Sequence, residues 1–291
     1  MRRRLLLAAP ALFPALAHAA PSIRVVATFS VLADMTRQIA GPLATVNALV
    51  PPDGDVHMYE PRPADLRELL AARMLVENGL GLEGWMQRLT GAANFTGSTV
   101  IATTGVAPRT LREGGGALTD DPHAWQDPHN GELYAANIAA GLAAADSGNA
   151  AAYRTAATHY AAAIRQTDAW IAAQFAPFPP GARRIITTHD AFGYYGARYG
   201  IEFLAAEGLS TEAEPSAKAI AALVAQIKRE KIRAVFLENM TDPRLAQMLA
   251  RETGAHLGGT VYSDALSPPG GPAATYLEMF RHNTTLFAAA M

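Results

Sequence analysis

Along most of the chain, short runs of aliphatic and β-branched residues alternate with segments whose apolar positions recur every three to four residues. The first run, Ile23-Arg24-Val25-Val26-Ala27-Thr28, reads as a buried strand. Ser30 is then expected to cap a helix that ends at Ala40, before Gly41-Pro42. Thr45–Val50 is strand-like and stops at Pro51-Pro52-Asp53-Gly54, and Pro63 suits the first turn of a helix reaching Ala72. Met74–Glu77 and Thr99–Ala102 predict two more strands on either side of a Leu82–Leu89 helix. Strands that alternate with helices predict a parallel sheet.

The alternation pauses after Val106. Pro108–Asp121 is glycine-rich and reads as a loop, and Gly131–Ala145 is helical. An alanine-rich segment from Asn149 to Phe175 has few breakers and predicts one helix about 40 Å long at 1.5 Å per residue. Pro177, Pro179, Pro180 and Gly181 end it. The pattern then restarts: strand Arg184–Thr187, helix Ala191–Tyr199, strand Glu202–Leu204, helix Ser216–Glu230, strand Ala234–Leu237, helix Pro243–Thr253, strand Ala255–Val261 and helix Thr275–Ala289. The predicted class is α/β, two (β/α) lobes with parallel sheets joined by one long rigid helix. Residues 20–146 form the first lobe, 147–178 the linker helix and 179–291 the second lobe. A single doubly wound domain with an oversized insertion is the competing architecture.

The first 19 residues stand apart. Arg2, Arg3 and Arg4 precede an apolar run from Leu5 to Leu16, and Ala17-His18-Ala19 closes it. That is the three-part build of a secretory signal peptide, with an apolar stretch short for a bilayer span. Cleavage is expected after Ala19, since a cut after Ala20 would leave Pro21 at the new terminus. The mature chain is thereby expected in a bacterial periplasm, soluble and monomeric. The formal charge of −2 becomes more negative once the leader's arginines are gone, which argues against nucleic acid as a partner. With no cysteine, the chain has neither disulfide nor lipobox, and any metal is held by nitrogen and oxygen.

Among the eight histidines, His57, His123 and His189 fall in loops at the mouths of predicted strands. Carboxyl ends of parallel strands are where α/β proteins place their ligands. Asp264, after the last strand, adds a carboxylate, and the resulting N₃O set suits four-coordinate zinc. The spacing is too scattered for a local finger motif, so pattern alone supports this set weakly. His129, His159, His256 and His282 read as surface or helix-start residues. Trp125, Tyr59 and Tyr195 are candidates to wall the site, and Glu60 and Glu238 to orient a ligand imidazole.

The segments Asp53–Pro61, Asp121–Pro128, Thr188–Tyr199 and Val261–Ser267 resemble, in order, the four signature stretches of the zinc/manganese solute-binding proteins of ABC importers (cluster A-I, zinc-binding subgroup). Val76–Glu83, Phe236-Leu237-Glu238 and Asp242-Pro243-Arg244 fit the same pattern. The resemblance implies that His57, His123, His189 and Asp264 ligate one ion between two lobes, Zn²⁺ foremost with Mn²⁺ as the alternative. It implies an ABC importer permease as partner. Many zinc-specific members carry a histidine-rich loop between the first two ligand motifs, whereas Pro108–Thr119 holds no histidine and, of acidic residues, Glu113 alone. Capture is then left to the site itself or to a periplasmic zinc metallochaperone. Manganese-selective members commonly place a carboxylate where His189 stands.

The function these features imply is a high-affinity periplasmic zinc receptor and not an enzyme, with a manganese or iron receptor of the same family as the alternative. An exported zinc hydrolase is the competing class, but neither His-Glu-x-x-His nor Gly-x-Ser-x-Gly occurs. A siderophore or haem receptor would call for an open aromatic or basic cleft in place of three histidines.

Overall fold

The computed structural model describes residues 22–112, 118–212 and 215–291. The leader assigned to residues 1–19 and Glu113 lie outside them. Two four-stranded parallel sheets organise the chain. The first has the order β2-β1-β3-β4, from β1 (Ile23–Phe29), β2 (Ala44–Val50), β3 (Met74–Glu77) and β4 (Ser98–Ile101). β1 is central, and Val25 to Phe29 are buried without alternation, as a strand covered on both faces requires. Helices α1 (Ser30–Ala40), α2 (Pro63–Ala71) and α3 (Met86–Ala93) complete its crossovers.

The second sheet repeats that topology as β10-β9-β7-β8, built from β7 (Arg184–Thr187), β8 (Glu202–Ala205), β9 (Ala234–Glu238) and β10 (His256–Val261). Helices α6 (Gly193–Tyr199), α7 (Ala217–Glu230) and α8 (Pro243–Thr253) connect these strands. In each sheet the second strand lies on one side of the first and the third on the other. The switch points fall between β1 and β3 and between β7 and β9, which is where open α/β sheets leave a crevice.

Between the lobes run α4 (Pro128–Ala145) and α5 (Ala150–Phe175), packed against each other. The long helix has 26 residues, and Tyr153, Ala157, Tyr160, Ile164, Thr167, Ile171 and Phe175 form its buried stripe. The closing helix α9 (Tyr276–Ala289) leaves the second sheet and packs on α5 and α1. One continuous apolar cluster therefore runs from Val25 through Phe175 to Phe287, and a smaller one, centred on Ile227 and Leu249, fills the outer layer under α7 and α8. The long helix is joined by α9 in tying the lobes together.

Four local expectations need correction. Ser30 does not cap α1: Phe29 holds the N-cap position, and the Ser30 hydroxyl accepts the N–H of Leu266 from the second lobe at 2.9 Å. The Leu82–Leu89 helix begins only at Met86, because Gly79, Leu80 and Gly81 all have positive φ and hold the chain in turns. The glycine-rich Pro108–Asp121 segment contains a short antiparallel pair, β5 (Thr110–Arg112) with β6 (Leu118–Asp120). Helix α4 starts at Pro128, not Gly131, since Asp127 caps it by accepting the His129 N–H.

Candidate metal centre

Each lobe contributes two of four converging side chains. His57 follows β2 on a loop built around Asp55, whose Oδ1 accepts the N–H groups of His57 at 2.8 Å and Met58 at 3.3 Å. The Trp85 indole N–H donates to Val56 O at 2.9 Å and pins the loop from beneath. His123 sits before a short turn in which Asp121 Oδ1 receives both its backbone N–H at 3.0 Å and its ring Nδ1 at 2.8 Å. His189 follows β7. Its backbone N–H and that of Thr188 donate to Glu238 Oε1, while Glu238 Oε2 lies 2.6 Å from the ring Nδ1. That last contact is an ion-pair approach whose alignment falls short of a good hydrogen bond.

Asp264 follows β10 on a segment gripped by the first lobe. Trp125 and Gln126 both donate side-chain N–H groups to Ser263 O, at 3.0 and 2.8 Å. Asn283 of α9 holds Tyr262 through paired bonds of 3.0 and 2.7 Å. The carboxylate thereby enters between the histidines: its Oδ2 lies 3.1 Å from His57 Nε2 and 3.2 Å from His189 Nε2, and its Oδ1 lies 3.7 Å from His123 Nε2. His57 and His123 approach Nε2 to Nε2 at 3.3 Å. One donor atom from each residue falls within 4.8 Å of every other. Donors about 2.1 Å from a tetrahedral ion stand about 3.4 Å apart, so the spacing suits such an ion.

The site is dry. His123, His189 and Asp264 are fully buried and His57 is 8% exposed. Both Asp264 oxygens and His189 Nε2 are buried without a hydrogen-bond partner of good geometry, a costly arrangement that a cation bound between them relieves. Burial pulls the His123 pKa down, but Asp264 and Asp121 outweigh it and push it up to about 9. His189 moves the same way, well above its usual range, because Glu238 and Asp264 overcome desolvation. Burial works to raise the Asp264 pKa, and the His189 and His123 charges hold it well below the carboxylate range instead. Three carboxylates surround three imidazoles, which is an electrostatic setting for a divalent cation.

The other site expectations divide. Glu238 touches His189 as described. Glu60 is exposed and lines a surface cavity with Arg62, Leu66 and Arg88, away from the four donors. Trp125 walls the site, its ring 5.3 Å from that of His123. Tyr59 instead meets the Trp85 ring at a tilt, with centroids 5.1 Å apart, and donates to Asp65. Tyr195 is a core residue among Phe175, Phe203, Phe280 and Phe287. His129, His159 and His256 are exposed, and His282 bonds Thr260 O at 2.8 Å. Sequence reasoning missed Asp121 as the partner of His123. The available signal was a carboxylate two positions ahead of a candidate ligand, placed to bond both its backbone and its ring.

Two parallel α/β lobes around a buried histidine–carboxylate cluster define a metal-binding protein of the periplasmic-receptor architecture. Residues 25–290 match the family described as ZnuA, zinc-uptake complex component A periplasmic, and the chain belongs to that family. It is 31% identical to the iron-binding protein YfeA of Yersinia pestis, over 89% of this chain and 83% of that protein. It is 30% identical to the manganese-binding lipoprotein MntA of Bacillus subtilis, over 92% and 90% of the two chains. Among solved structures, the periplasmic zinc-binding protein TroA from Treponema pallidum superposes with a TM-score of 0.87, at 26% identity over 92% of this chain and 99% of that one. A manganese-bound periplasmic metal-binding protein from Candidatus Liberibacter asiaticus does so with a TM-score of 0.81 at 30% identity and the same coverages. Among the described residues no helix is long and apolar enough to cross a membrane.

Proposed function

We propose that this chain is the zinc-capturing receptor of an ABC importer, binding one Zn²⁺ in the periplasm and passing it to the permease. The observation that carries the reading is the closed N₃O set, in which His57, His123, His189 and Asp264 are all buried and drawn from both lobes. Imidazole-rich four-donor sites suit zinc, whereas manganese favours more oxygen ligands and six-fold geometry. Asp121 bonds the Nδ1 of His123 and Glu238 Oε2 faces that of His189, an arrangement that suits Nε2 lone pairs turned toward the ion. Four protein donors leave no open position for a reactive water, which weighs against a hydrolytic zinc.

A manganese or iron receptor is the second reading. Relatives bear those names, and both Asp264 oxygens face histidines, so bidentate binding would raise the coordination number. Competitive titration of the chelator-stripped protein with zinc, manganese and ferrous iron, beside His189→Ala, separates the two. One tightly held zinc, poorly displaced by manganese and weakened in the variant, supports the zinc receptor. Preference for manganese or iron supports the alternative, and absence of any tight metal binding refutes both. Delivery to the site by a metallochaperone is a further part of the proposal, tested by zinc transfer from a loaded periplasmic donor.

A further inference from the structure

Arg109 lies outside the four donors, yet it joins the carboxylate behind one of them to the opposite lobe. It stands at the root of the β5–β6 pair, and Asp121 N donates to its carbonyl at 2.8 Å. Its guanidinium Nη1 lies 2.7 Å from Asp121 Oδ2, while Asp121 Oδ1 holds His123. The side chain crosses the seam to α6 of the second lobe, a helix that begins four residues after His189. There it occupies the space left by the missing side chain of Gly193, where a methyl group would overlap Nη1. It also lies over the Tyr194 ring at 5.4 Å. The Tyr194 hydroxyl completes the junction, accepting the Arg109 N–H at 3.0 Å and donating to Asp121 O at 2.9 Å.

We propose that Arg109 is a positioning residue that locks the ion site across the lobe seam, with Gly193 as the notch that admits it. Asp121 is buried and holds an imidazole with one oxygen, so its second oxygen needs a donor. A guanidinium supplies a charge-assisted one in a fixed orientation. Because that guanidinium also rests on Gly193 and Tyr194, and the Tyr194 hydroxyl bonds Asp121 O, separating the lobes strips the outer support of the Asp121–His123 pair as it removes His189 from the site. A seated Arg109 thus slows release of the ion. The role rests on the metal-receptor reading and uses zinc as the probe.

The test is the zinc dissociation rate, followed by transfer to excess chelator, in wild type, Arg109→Ala, Arg109→Lys, Gly193→Ala and the Arg109→Ala/Gly193→Ala double variant. Loss of an orienting partner costs about 10–100-fold in metal affinity, and Arg109 acts one step behind such a partner, so release about tenfold faster is expected for Arg109→Ala. Lysine restores part of this, since its point charge reaches Asp121 without the fork. Gly193→Ala, which evicts the guanidinium from the other lobe, gives the same acceleration, and the double variant releases no faster than Arg109→Ala alone. If Arg109→Ala does not fold, Gly193→Ala reads the same displacement. Tight zinc binding with unchanged release in these variants, or additive effects in the double variant, overturns the positioning role alone. Wild-type protein that takes up no metal overturns the receptor reading and this role together.

Discussion

Replacing Glu238 by glutamine removes a charge while keeping size and shape, and the structure specifies what it costs. Glu238 is 2% exposed and serves three groups: Oε1 accepts two backbone N–H groups from Thr188 and His189, and Oε2 faces His189 Nδ1 at 2.6 Å. Glutamine keeps an oxygen for the backbone pair, but its NH₂ then meets Nδ1. The ring is driven to the tautomer protonated on Nε2, the nitrogen 3.2 Å from Asp264 Oδ2. Flipping the amide spares the ring and leaves two buried N–H groups facing donors. Either way, zinc binding works against a penalty. Orienting partners of ligand histidines are worth about 10–100-fold in affinity, or about 1.4–2.7 kcal/mol. Competition with a zinc-binding dye at fixed pH measures it. An affinity within twofold of wild type would show that His189 is oriented by its own packing and that Glu238 merely caps the backbone.

Three further outcomes are expected. Zinc at a hundredfold excess over its Kd adds about 2.7 kcal/mol, which raises the midpoint of thermal unfolding by roughly 5–10 °C over protein stripped with a chelator, a shift that His57→Ala abolishes. Raising pH from about 6.5 to 9 moves two quantities in opposite directions. His123, pushed up to about 9 in the folded chain, stabilises the metal-free protein fully below its unfolded value near 6.5 and ceases to do so as pH passes 9. The zinc-free melting temperature therefore falls over this window while zinc affinity rises, because the ion displaces the proton; parallel trends in the two would contradict it. Phe287→Ala removes a fully buried ring that meets Phe192, Tyr195, Phe203 and Phe236, and is expected to cost about 3–5 kcal/mol by denaturant unfolding, with a loss below about 1 kcal/mol showing that α9 contributes little to the core.

Local chemistry made much of the architecture readable from sequence. Central parallel strands are covered on both faces, so Val25–Phe29 and Ile185–Thr187 appear as runs of apolar and β-branched residues without polar alternation. Pro-initiated helices announced themselves at Pro63 and Pro243, and the proline cluster after Phe175 marked the end of the long helix. The departures lie where neighbours outvote local preference. Ser30 carries an N-cap signature but spends its hydroxyl on Leu266, far along the chain. The Pro108–Asp121 segment lacks a strand pattern, and its paired strands of three residues each are anchored by Arg109 and Asp121 rather than by hydrophobic alternation.

The site follows the same division. By itself the sequence determined which residue types were available, histidines and an aspartate at strand ends with no thiol among them, and hence that any metal is held by nitrogen and oxygen. Whether those residues meet was decided by tertiary structure alone, because His57 and Asp264 belong to different sheets and contact through folding, not spacing. The lobe-spanning support, from Trp125 and Gln126 to Ser263 and from Arg109 to Gly193, left no periodic trace either. Periodicity records which face of an element is buried. It carries no record of which distant loop a buried polar atom will find, and the geometry of a metal centre consists of such pairings.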